Sequence, residues 1–199
     1  MRRAVLLAAG LAVLAAVGTV AWKLSHHEAP PVPDAPSKKD LAKLRTLSEI
    51  LLSRNDNDPR LDRDFNDLSP AAKELFRRMY RELPEERRNE RGTIVFLLGR
   101  NLSSPEDWAF LRSVATEPPC LSMADCSKPG RAAGHGGDEV TLAYPSLVAL
   151  KSAEGAFVLG SRAAKDEALA VILAAKSSKT PAVTRLARAL EAKLAPLAR

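Results

Sequence analysis

Aromatic residues are scarce in this chain: two tryptophans, two tyrosines and five phenylalanines make up 5% of its 199 residues. β-Branched residues are outnumbered by alanine and leucine, and no stretch alternates apolar with polar side chains. A sheet-based fold is therefore excluded, because a strand buried on one face needs period-two alternation. Histidine is equally sparse. His26 and His27 lie in a Pro-rich spacer and His135 sits in GHGG, none of them paired at motif spacing with a nucleophile or a second base. The sequence accordingly predicts no enzyme. A large surplus of one charge is missing as well. The net charge of +6 includes Arg2, Arg3 and Lys23, which no acid accompanies within residues 1–23, so the remainder carries only +3. Its 27 basic and 24 acidic residues are interspersed, the pattern of a solvated helical surface and not of a nucleic-acid groove.

What the chain does contain begins with AVLLAAGLAVLAAVGTVAW, Ala4 to Trp22, uncharged throughout and mostly apolar. At about 1.5 Å per helical residue this run nearly spans a hydrocarbon core of roughly 30 Å. Two arginines before it favour a cytoplasmic amino terminus and a translocated remainder. The expectation is a single-pass inner-membrane protein, membrane-bound through residues 4–22, with its carboxyl-terminal domain in the periplasm. The alternative is a cleaved signal, using the small-residue sites Ala16-Val17-Gly18 or Thr19-Val20-Ala21, and a secreted or periplasmic product. Residues 1–23 are thus an anchor or signal, 24–37 a spacer containing PPVPDAP, and 38–199 one helical domain.

The only two cysteines, Cys120 and Cys126, stand close together in EPPCLSMADC. In an oxidising compartment such a pair closes into a disulfide. A loop of about seven residues contributes about 2.4 kcal/mol in the chain-entropy model, so the bridge acts locally. It would clip an irregular insertion at about 118–139, which runs on through the Gly- and Pro-rich KPGRAAGHGGDE. CxxC spacing is absent, which argues against a redox-active pair. Cys120, Cys126 and His135 lack the knuckle spacing and the fourth ligand of a zinc site. DNDPRLDRDFND has the acid spacing of a calcium loop but places Arg60 at a ligand position and Leu61 where glycine makes the turn. No metal, cofactor or small-molecule substrate is indicated.

Helical periodicity starts at Lys38, with Leu41, Leu44, Leu47, Ile50 and Leu51 on one stripe. Ser69-Pro70 caps a second helix whose Ala72, Leu75, Phe76, Met79, Tyr80 and Leu83 follow the same rule. Pro84 ends it and opens a third, EERRNERGTIVFLLGRN, with a charged, solvated first half and a buried second half. Ser104-Pro105-Glu106-Asp107 is a capping-box start for a helix that carries Trp108, Phe110 and Leu111 into the core and stops before Pro118. VTLAYPSLVALKSAEGAFVLGS, AKDEALAVILAAKSS and TPAVTRLARALEAKLAPLAR read as three further helices.

GTIVFLLGRNLSSPEDWAFLRSVATEPP resembles a HEAT-like repeat, a helix ending in Leu-Leu-Gly-Arg, a short turn, a second helix and an acidic-proline turn. TPAVTRLARALEAKL is similar to the opening of another such repeat, and YPSLVALKSAEG echoes its second helix. The resemblance implies an all-α fold of irregular helix pairs, or a compact bundle, that offers a protein partner a binding surface. In this reading Gly99 lets helices approach, and Arg185, Arg188 and Lys193 form a candidate docking stripe on a solvated face. The expected function is a non-catalytic, membrane-tethered extracytoplasmic scaffold that binds another protein. Two alternatives are a small envelope hydrolase with a site near His135, assisted by Asp138 or Glu139, and a structural spacer. An exposed groove lined by Tyr, Trp or Arg would distinguish a scaffold from a spacer.

Overall fold

The computed structural model describes residues 35–130 and 138–197, so Ala4–Trp22, expected to be an anchor or signal, and His135 lie outside the described residues. Among the described residues there are nine α-helices and no strand. They are α1 (Lys38–Ser53), α2 (Arg60–Arg63), α3 (Pro70–Glu82), α4 (Arg88–Gly99), α5 (Pro105–Ala115), α6 (Glu139–Leu142), α7 (Tyr144–Leu159), α8 (Arg162–Ala175) and α9 (Pro181–Leu194). None of them is long and apolar enough to cross a membrane. The described residues form one compact unit around a continuous apolar cluster that runs from Leu47 in α1 to Leu194 in α9.

Local chemistry sets most helix starts. The Ser37 hydroxyl accepts the Asp40 N–H, and the Asp40 carboxylate accepts the Ser37 N–H at 2.8 Å, closing a capping box. The Ser69 and Ser161 hydroxyls cap α3 and α8 by accepting the Ala72 and Ala164 N–H without a reciprocal bond, and proline occupies the first turn of α3, α5, α7 and α9. At α5 the Asp107 carboxylate reaches back to the Ser104 N–H at 3.1 Å.

Three expectations are corrected. Leu41 is 49% exposed, and the inward face of α1 consists instead of Asp40, Lys43, Leu47, Ile50 and Leu51. Only the start of the helix departs from the expected stripe, because its first turns lie over a polar loop: Asp40 accepts the Ser69 hydroxyl at 2.6 Å and Lys43 bonds the carboxylate and carbonyl of Asp67. Pro84 does not open α4. Residues 84–87 form a separate turn, closed by the Arg87 N–H on the Pro84 carbonyl, and the helix starts at Arg88. The charges of Glu86–Arg91 are not a solvated face either, since Arg88, Glu90 and Arg91 are all buried. Helix α4 is central, covered by α3, α5 and α7, so both of its halves face protein. The Arg91 guanidinium lies 4.1 Å from the centre of the Tyr80 ring and donates to Glu117, which also accepts the Tyr80 hydroxyl.

Two glycines seat α4 against α7. A Cβ on Gly92 would stand 2.4 Å from the Tyr144 ring, and one on Gly99 would stand 2.1 Å from the Ser152 hydroxyl. Gly99 therefore permits the helix approach expected of it. Positions 92 and 99 face 144 and 152 in order, so α4 and α7 run side by side in the same direction, while α5 packs against α7 and α8. Trp108 and Phe110 are buried in the core, Phe110 edge-on to Tyr80.

Candidate functional site

Helix α7 is mostly apolar on both sides. One side, Ala149, Leu150, Ala153 and Phe157, is fully buried. The other, which includes Tyr144, Leu147, Val148, Gly155 and Leu159, lines an open trough of about 870 Å3. A helix apolar all round is normally covered on every side; here one side is left open. From Tyr144 to Leu159 the trough follows α7 for about 22 Å, at 1.5 Å per residue. The end of α4 supplies Phe96, Gly99 and Arg100, the start of α5 supplies Trp108, and the turn into α8 supplies Gly160 and Ala164. Phe96 is 40% and Leu159 88% exposed. Contiguous exposed apolar surface of this kind is uncommon on a soluble protein that stands alone.

Charge in the trough has one sign. Among the described residues its only charged lining residues are Arg100 and Lys151, and no described carboxylate lines it. Arg100 reaches out to Asp62 at 2.8 Å and lies over the Phe96 ring. Lys151 bonds Glu154, whose other oxygen accepts Lys193 at 2.7 Å. The Lys151 hydrogen bond, followed by that of Lys193, holds the Glu154 carboxyl below its usual range. One carboxylate thus serves two ammonium groups, and both lysines remain about two-thirds exposed.

The docking stripe proposed from sequence lies elsewhere. Arg185 pairs with Glu139, Lys193 pairs with Glu154, and Arg188 is exposed with no ion pair among the described residues. None of the three lines the trough, although Lys193 adjoins it through Glu154. Cys120 and Cys126 form a disulfide and are both buried. The loop is seated on the turn before α4, where the Glu86 carboxylate accepts the Cys126 N–H at 2.9 Å. Of the residues named for a hydrolase, Asp138 caps α6 by accepting the Thr141 N–H, and Glu139 is held by Arg185. Four of the five acids of the calcium-like loop are engaged by cations: Asp58 by Arg60, Asp62 by Arg100, Asp64 by Arg63 and Asp67 by Lys39 and Lys43. No grouping of three or more metal-ligating side chains occurs among the described residues.

Of the trough residues the sequence singled out Gly99 and Trp108, and these for packing and not as a site. The signal for the trough was available in YPSLVALKSAEGAFVL, which lacks the polar face that a one-sided surface helix carries. No family model, curated protein or solved structure matches the chain.

Proposed function

We propose that this protein is a membrane-tethered extracytoplasmic scaffold, built of HEAT-like helix pairs α4/α5 and α7/α8, that binds another protein through the trough and performs no chemistry. The observation that carries the reading is the uncovered apolar side of α7, walled by Phe96 and Trp108. A structural spacer has no use for such a surface, and a deep enclosed pocket with convergent polar groups, as an enzyme needs, is not what this trough offers. The pairing is supported by α4 and α7 lying side by side in one direction, as equivalent helices of stacked repeats do. Residues 4–22 provide the tether and place the domain in the periplasm, the oxidising space in which the Cys120–Cys126 bridge persists.

A photo-crosslinking residue introduced at Val148, inside the trough, should capture a defined protein in intact cells. The same residue at Arg78, on an exposed part of α3, should capture none. Equal capture from both positions, or none from Val148, would overturn the reading.

A further inference from the structure

The trough's dimensions and charge narrow the partner's chemistry, on the reading that it is the docking site. Its length of about 22 Å matches roughly four turns of helix. Gly99 and Ser152 meet between α4 and α7, and beside them in the trough Gly155 has nothing within 4 Å of where its side chain would start. Small residues there let a third backbone come close, as a helix laid in a groove requires. A single acyl chain fits less well, because an open trough leaves its flank in water whereas small apolar ligands are mostly enclosed by their pockets. The charged groups are cationic and cluster at one level. Gly99 and Ser152 touch, so Arg100 and Lys151, the next residue after one and the last before the other, stand beside the same contact. Lys193 adds a second ammonium around Glu154.

We propose that the trough takes an amphipathic helix of an acidic partner protein, its apolar stripe on the face formed by Val148, Gly155 and Leu159 and its carboxylates beside Lys151, Lys193 and Arg100. An incoming carboxylate relieves Glu154 of one of its two lysines. A cationic helix would instead meet Arg100 and Lys151 of the lining and Lys193 beside it, with the two neighbouring acids, Asp62 and Glu154, already paired to them.

The test uses the full chain in phosphatidylcholine nanodiscs and two dye-labelled helical peptides of about 18 residues. They share one leucine stripe and differ in carrying glutamate or lysine on its flanks. Fluorescence anisotropy at low salt should show the glutamate peptide binding at least about tenfold tighter than its lysine twin. Lys151→Glu with Lys193→Glu should erase or reverse that preference, and Gly155→Trp, which fills the trough, should abolish binding of both. Equal binding of the twins, lost in Gly155→Trp, would overturn the acidic partner and leave the trough as a docking site. If neither peptide binds, or Gly155→Trp changes nothing, both readings fall. A photo-crosslinker at Val148 that yields a phospholipid adduct in place of a peptide adduct would assign the trough to lipid and overturn the proposal.

Discussion

Asp107 carries four hydrogen bonds on one carboxylate. Lys73 and the N–H groups of Ser103 and Ser104 reach Oδ2, while Arg77 reaches Oδ1. Both Asp107 and Lys73 are almost wholly buried, so removing the acid strands a buried ammonium. Asp107→Ala should cost about 3–5 kcal/mol in denaturant unfolding. Burial alone would push the carboxyl up, but the Lys73 ammonium and the two N–H groups outweigh it and hold it below 3.8. As pH falls the unfolded chain therefore takes up the proton first. The stabilisation is complete above about pH 5 and is lost as pH drops through the depressed folded value. The melting temperature should hold from about pH 7 to 5 and fall below about pH 4. The slope should be shallower in Asp107→Asn but not absent, because the Ser69 hydroxyl lowers Asp40 and Lys43 lowers Asp67, the latter to about 2. The disulfide acts on a smaller scale. Replacing Cys120 and Cys126 with serine should lower the melting temperature by about 3 to 8 °C and leave the helical signal intact. A double variant that fails to fold would mean that the seat on Glu86 matters more than the loop closure.

Two helical glycines at the level of whole elements should respond in opposite directions. Alanine is the better helix former by about 1 kcal/mol, and at Gly155 nothing opposes it, so Gly155→Ala should raise stability by about that amount. At Gly99 the added methyl would strike the Cβ and hydroxyl of Ser152. Forcing α4 from α7 should cost about 1–3 kcal/mol net, and Ser152→Gly on the same chain should restore part of the loss. Thermal unfolding of the three variants checks this, and a destabilised Gly155→Ala would mean that the trough is already filled. The same two helices mark where local patterns stop being informative. The charged start of α4 suggested a solvated face, yet Arg91 found Tyr80 and Glu117 across α3 and the segment following α5. That outcome depends on which neighbours enclose the helix, a property that its own twelve residues do not carry.

The molecule is held by one apolar cluster that spans α1 to α9. A fragment of residues 37–199 should therefore stay folded without the amino-terminal segment and melt in one cooperative transition with a wholly helical circular dichroism spectrum. Two separated transitions, or a sheet component, would contradict a single core. The sequence by itself determined the helical class, the starts at Lys38, Ser69 and Ser104, the burial of Trp108 and Phe110, the approach at Gly99 and the pairing of Cys120 with Cys126. Each of these rests on contacts within a few residues or on spacing along one helix. Tertiary structure alone decided that Leu41 would yield its place to Asp40 and Lys43, that Arg88 and Arg91 would be buried, and that Arg185 and Lys193 would be paired to acids. It also decided the trough. Periodicity shows that both sides of α7 are apolar, but which side is covered depends on where α4, α5 and α8 lie, and they cover only one.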